Sequence, residues 1–203
     1  MEPVRSYVIC CVQRTGSWLL AHTLADTGYA GRPSDYFDDA ERKRHTREWG
    51  LPAGDLTPYV RAMRDHATTP NGVLGCKLMW NDYDSLRSGL HPPAGTDAGL
   101  QFMQMTFPNP QFVWLRRADK VRCEDGWRQW FTSTGIQPYE VLYEGLATNR
   151  LAVANGVLEF LRLPRLDADH LPPVRYRKQA DSLTETYVDL VRSAMRPRCR
   201  AFP

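Results

Sequence analysis

The chain has 203 residues and carries 26 Lys+Arg against 23 Asp+Glu, a formal charge of +3. That length suits one domain able to bury a core without disulfides or metal, and so even a charge balance excludes a dedicated nucleic-acid binder. At 42% hydrophobic and 24% charged residues, the composition is that of a soluble globular protein. No apolar run approaches the ~20 residues of a membrane span, and Met1-Glu2-Pro3-Val4-Arg5 is no signal peptide, so a cytoplasmic location is expected.

Tyr7 to Val12 is a short apolar run rich in β-formers and reads as a buried strand. The turn Gln13-Arg14-Thr15-Gly16-Ser17 follows, then a helix through Leu20 and Leu24 that stops near Gly28. Tyr29 to Phe37 reads as a second strand or strand-like loop, interrupted by Arg32-Pro33. Asp38 to Trp49 is densely charged and is expected as a solvated helix or mobile loop. Thr57-Pro58 opens a helix to about Thr68, with threonine as its cap. Pro70-Asn71-Gly72 turns into a third strand, Val73 to Trp80.

Ser88 to Gly99 reads as a surface connection, overlapping a short helix from Asp97 to Met105. Gln111 to Arg116 is the fourth strand, Asp119 to Thr134 a helix containing Gly126, and Tyr139 to Tyr143 the last strand. Asn149 to Arg162 reads as an amphipathic helix, Leu163 to Val174 as loop, and Thr184 to Met195 as a terminal helix. Strands alternating with helices predict an α/β, three-layer fold with a mainly parallel sheet covered on both faces. Ligands in such sheets bind beyond the carboxyl ends of the strands.

The cysteines (Cys10, Cys11, Cys76, Cys123, Cys199) are odd in number and irregular in spacing, so they predict no disulfide framework. The histidines are scattered, and no metal site is readable.

Three basic positions lie at the predicted strand ends. Gln13 to Ser17 would present backbone amides at a helix amino terminus, an anion site strengthened by the helix dipole and by Arg14. A Walker A loop would need a Gly-Lys-Ser/Thr ending that is absent. Arg116-Arg117 follows the fourth strand and suits a second phosphate. Lys77, within an apolar strand, is expected either with a partner or at a sheet edge facing solvent. Asp35, between aromatic residues, suits general-base work if desolvated and is otherwise a turn residue.

These stretches together resemble the bacterial Stf0-type sulfotransferases. The matching runs are Gln13 to Leu20, Gly31 to Phe37, Pro70 to Trp80, Leu115 to Arg122, Trp127 to Phe131 and Arg177 to Asp181, in family order. The resemblance implies a P-loop-like fold and a single sulfotransferase domain over 1–203. It also implies sulfuryl transfer from 3′-phosphoadenosine-5′-phosphosulfate (PAPS) to a hydroxyl, leaving 3′-phosphoadenosine-5′-phosphate (PAP), with no metal required. By that resemblance Gln13, Arg14, Thr15, Gly16, Ser17 and Trp18 form the loop for the 5′-phosphosulfate, with Arg14 also acting in catalysis. Arg116 or Arg117 would hold the 3′-phosphate, and Lys178 and Gln179 would close over the nucleotide. Asp35 would be the general base, where the family usually has glutamate. Tyr36, Phe37, Lys77 and Trp80 would line the acceptor site, and the implied acceptor is a sugar or glycosylated small molecule. Family members form dimers, so a homodimer fits the resemblance.

One departure lies at Arg122-Cys123-Glu124-Asp125, which joins two halves that read as separate helices. The family carries several tens of further residues there, including a serine expected to share the 3′-phosphate. Either the chain is naturally shortened near 123–124, or a segment is missing from it. The alternative reading of function is a catalytically impaired nucleotide-binding module of the same fold. A P-loop kinase is disfavoured by the absent Walker lysine.

Overall fold

Apolar alternation along the first strand decides the architecture. In β1 (Arg5–Cys11), Val8 and Cys10 face one side of the sheet, while Tyr7, Ile9 and Cys11 face the other; all five are fully buried. The structure, a computed structural model, describes residues 3–88, 97–120 and 124–174. The chain divides into two compact units, Met1–Pro172 and Pro173–Pro203, and the fold described is that of the first.

β1 lies between β2 (Val73–Met79) and β3 (Pro110–Arg116), and β4 (Tyr139–Leu142) adds beyond β3, giving the order β2-β1-β3-β4. All three pairings are parallel, with Cys11 opposite Met79, Cys10 opposite Trp114 and Arg116 opposite Leu142. The carboxyl ends therefore finish along one rim.

One sheet face packs on α3 (Leu56–Ala67), α5 (Ala98–Thr106) and α6 (Asp125–Thr134), through Tyr59, Met63, Phe102, Trp127 and Phe131. The other face packs on α1 (Ser17–Ala25) and α8 (Arg150–Phe160), through Leu20, Leu24, Val157 and Leu158. The result is the expected three-layer α/β arrangement.

Several elements differ from the sequence expectation. Tyr29 to Phe37 is loop, running beside the edge strand β2 without joining a ladder. It is fastened at single points: the Tyr7 hydroxyl donates to the Ala30 carbonyl at 2.6 Å, and the Lys77 amide to the Ser34 carbonyl at 3.0 Å. Gly31 (φ 74°) allows this approach, since a Cβ there would lie 2.5 Å from the Gly75 amide nitrogen.

The charged segment is a helix, α2 (Asp39–Glu48), because Asp38 accepts from the Ala40 and Glu41 amides. Asp55, rather than Thr57, caps α3. Two helices were not anticipated, α4 (Trp80–Ser88) and the short α7 (Tyr143–Thr148). The helix expected over Thr184 to Met195, together with Lys178 and Gln179, lies outside the described residues. Cys10, Cys11 and Cys76 are free and buried, behaving as small hydrophobes.

Candidate active site

The loop between β1 and α1 is bent by two left-handed residues, Arg14 (φ 65°) and Gly16 (φ 77°). The Thr15 hydroxyl, fully buried, donates to the Val12 carbonyl at 2.8 Å and so braces the turn from within. Its proton is thus spent on the backbone rather than offered to a ligand. Ser17 is also buried and reaches the Cys11 thiol, whose pKa burial pushes up to about 12. Gly16 stands at the amino end of α1 with no side chain capping it. The Leu19 amide donates to the Gly16 carbonyl at 2.9 Å, and the positive end of the helix dipole lies at this loop. That arrangement fits a bound phosphate or sulfate group. Gln13, Arg14 and Trp18 are exposed around it.

A residue that the sequence did not single out closes this loop from the side. A Cβ on Gly16 would fall 2.4 Å from the Tyr143 ring, so the first residue of α7 packs directly against the loop glycine. The Arg117 guanidinium lies 4.9 Å from the centre of the Tyr143 ring, and its Nη1 donates to the Arg14 carbonyl at 2.9 Å. Arg116 points elsewhere: it pairs with Glu124 at 3.2 Å and Glu140 at 2.6 Å and lies over the Trp114 ring. Of the two arginines, Arg117 is the one at the anion loop. Tyr143 carried no motif signal: it directly follows β4, and its place against Gly16 depends on the pairing of β4 with β3.

Beside the loop, Lys77 and Asp35 form an ion pair. The Lys77 side chain is fully buried, and that of Asp35 is 13% exposed. Of the two expectations for Lys77, the solvent-facing edge position is therefore corrected. β2 is an edge strand, but the 29–37 loop covers it and supplies the partner. The Lys77 ammonium also lies 4.5 Å from the centre of the Trp18 ring, which joins the ion pair to the first turn of α1. Burial pushes the Asp35 pKa up, and the nearby Lys77 opposes that rise without cancelling it.

Tyr36 and Phe37, expected at the acceptor site, are packed into the core instead. Tyr36 donates its hydroxyl to the Arg32 carbonyl at 2.9 Å, and Phe37 sits edge-on to Tyr59, Phe102 and Phe107. The loop turns both rings inward because covering the edge strand buries apolar area. Trp80 is half-buried, with its indole over Gly126.

Another carboxylate near the pair had not been singled out. Asp82, in the first turn of α4, has its pKa raised to about 6 by burial and by Asp38 and Asp35, with Lys77 opposing. Its only sequence signal was its place just past a strand end.

The Stf0 sulphotransferase family model matches residues 6–123 and 122–194 of the chain. The trehalose 2-sulfotransferase of Mycolicibacterium smegmatis is 28% identical over 258 residues, covering 92% of this chain and 94% of that protein. The trehalose 2-sulfotransferase of Mycobacterium tuberculosis is 27% identical, covering 94% of this chain and 95% of that protein. Alignments of 258 positions on a 203-residue chain leave a long stretch of each relative without a counterpart here. Among solved structures, the sulfotransferase domain from the Synechococcus PCC 7002 olefin synthase superposes with a TM-score of 0.53 at 16% identity. It covers 91% of this chain and 83% of that one, a likeness of fold. Among the described residues no helix is long and apolar enough to cross a membrane. With the family model matching nearly the whole chain, this protein belongs to the Stf0 sulphotransferase family.

Proposed function

We propose that the protein transfers a sulfuryl group from PAPS to a hydroxyl of a carbohydrate or glycosylated small molecule. The observation that carries this reading is the contact of Trp18 with Lys77, which sets the anion loop and the Lys77–Asp35 pair side by side on one rim. The relatives named as trehalose 2-sulfotransferases support a sugar acceptor.

In this reading the α1 amides and Arg14 hold the 5′-phosphosulfate and stabilise charge growing on the leaving phosphate. Arg117, which pairs with Asp119 at 3.0 Å and reaches the Arg14 carbonyl, lies nearer the loop for the 3′-phosphate, whereas Arg116 is held away from it by two carboxylates. Asp35 takes the proton of the acceptor hydroxyl while that oxygen bonds to sulfur and the bond from sulfur to the phosphate oxygen breaks, releasing PAP. Lys77 keeps Asp35 ionised enough to act as a base; burial keeps it basic enough to be useful. We also propose a single sulfotransferase domain shortened at 123–124, a reading supported by two family-model matches that meet at residues 122–123.

Transfer of radiolabel from PAPS to a panel of mono- and disaccharides tests the reading. Asp35→Asn is expected to lower turnover by about 10²–10⁴-fold with PAP affinity nearly unchanged. Tight PAP binding with no turnover on any acceptor would favour the nucleotide-binding module, which the shortened chain makes a real alternative. Absence of PAP binding would end both readings.

A further inference from the structure

Gly126, Gln129, Trp130 and Ser133 fall at i, i+3, i+4 and i+7 along α6, so they share one face of that helix. That face lines a cavity of about 240 Å³, whose other walls are Trp80 and Arg87 of α4 and Asp97, the cap of α5. The cavity begins at the catalytic rim. Trp80 directly follows the last residue of β2 and stands three residues past Lys77, about 10 Å of chain at strand rise. Neither the anion loop nor the Lys77–Asp35 pair makes use of this space.

One side of the cavity is aromatic and fixed. Gly126 has no Cβ to push the Trp80 indole off α6, Trp80 sits edge-on to Trp127 at 5.2 Å, and Trp130 is 3% exposed. The other side carries accessible polar groups. Gln129 is exposed, and its amide makes no hydrogen bond among the described residues. Asp97 accepts the Leu100 amide at 2.8 Å through Oδ1, and its second oxygen accepts nothing among the described residues. Ser133 donates to the Trp130 carbonyl at 3.0 Å and keeps its lone pairs. Arg87 pairs with Asp84 at 2.7 Å and lies 5.3 Å from the centre of the Trp80 ring.

An apolar wall facing donors and acceptors together suits a sugar ring, with its C–H surface and its hydroxyls that both donate and accept. The lining has one cation, already paired, and one carboxylate, so it favours a neutral ligand over an ion. At about 30 Å³ per water, the volume matches the bulk of one sugar ring and not two.

We propose that this groove between α4 and α6 is the subsite for the second ring of a two-ring acceptor. One ring presents its hydroxyl to Asp35, and the ring that is not sulfated sits between Trp80 and Gln129. The enzyme thereby selects disaccharides and glycosides over single sugars. This rests on the sulfuryl-transfer reading only for which ring reacts; occupancy of the groove is a matter of binding.

The test compares wild type with Gln129→Ala and Ser133→Phe, both at exposed positions, in the full chain. Thr132→Phe, exposed on α6 but outside the cavity lining, controls for added bulk on the helix. Calorimetry on the PAP-loaded protein follows binding of trehalose, maltose and sucrose, and turnover with PAPS is followed for these and for glucose. With two or more added hydrogen bonds, kcat/KM for the preferred disaccharide should exceed that for glucose by about tenfold or more. Gln129→Ala should raise the disaccharide Kd by about 2–10-fold, and Ser133→Phe, which fills the groove, by about tenfold or more. In both variants kcat/KM for glucose and PAP affinity stay nearly unchanged, and Thr132→Phe behaves as wild type. No disaccharide binding by wild type, no preference over glucose, unchanged disaccharide binding in Ser133→Phe, or equal losses for disaccharide and glucose would each overturn the proposal. If wild type binds a disaccharide yet never sulfates any sugar, the sulfuryl-transfer reading falls, and the groove is still judged by the effect of the variants on Kd.

Discussion

Arg116 and Glu124 form a pair in which the carboxylate is 1% exposed and the guanidinium 26% exposed. The same carboxylate accepts the Arg117 backbone amide at 2.7 Å. Glu124 therefore fixes the chain leaving β3, and through it the direction in which Arg117 departs toward the anion loop. Two adjacent arginines thus have separate duties, one holding the backbone and the other facing the loop.

This division gives opposite expectations for two alanine variants. Arg116→Ala leaves Glu124 buried without its cation, at a cost of about 1–3 kcal/mol, and urea unfolding should detect that loss. Arg117→Ala removes the contact with the Arg14 carbonyl, the charge over Tyr143 and a partly exposed ion pair with Asp119 that contributes little to stability. It should weaken PAP binding by about tenfold or more while changing stability little. Equal losses of PAP affinity in the two variants would mean that both arginines hold the nucleotide.

Lys77→Met removes the cation that opposes the burial of Asp35. The Asp35 pKa, already raised, should rise further, so the acidic limb of the kcat profile moves to higher pH. The effect on stability follows in sign. A carboxyl whose folded pKa lies above its unfolded value costs stability once it must ionise. The variant should accordingly lose little at pH values below the ordinary aspartate range and most above the raised folded pKa. Unfolding at acidic and at mildly alkaline pH, compared with wild type, checks this directly.

The strands were legible because each is a short apolar run, and the anion loop because a polar turn separates the first strand from a helix. Lys77 and Asp35 were each conspicuous alone, a lysine in a strand and an aspartate among aromatics. Their pairing was not readable, because it depends on a loop lying across an edge strand 42 residues away. The same loop explains why Tyr36 and Phe37 were misplaced: aromatic residues next to a candidate base look like a binding surface until the fold turns them inward. α7 is only six residues long, too short for a periodic signal, and with it went Tyr143. α4 begins at the last residue read as strand, so the change from period 2 to helical spacing has no turn to mark it.

Gly126, the second residue of α6, looked out of place in a helix. Glycine normally weakens a helix by about 1 kcal/mol relative to alanine, so Gly126→Ala would be expected to stabilise. Here a Cβ would fall 2.1 Å from the Trp80 indole. The clash should reverse the sign and cost about 1–3 kcal/mol. A double variant with Trp80→Ala should recover part of that loss; a gain in melting temperature for the single variant would contradict the packing described.

Asp82 offers a final test of the same rim through stability alone. Its folded pKa of about 6 lies above that of an unfolded aspartate, so the native state prefers it protonated. The ionised side chain therefore weakens the fold by an amount that begins to grow above about pH 4 and is complete above about pH 6. Asp82→Asn, which carries no charge at any pH, should unfold at a higher temperature than wild type at pH 8 and at nearly the same temperature at pH 4. A variant equally stable to wild type at both pH values would show that Asp82 is solvated well enough to titrate normally, and its electrostatic coupling to Asp35 and Asp38 would then be negligible.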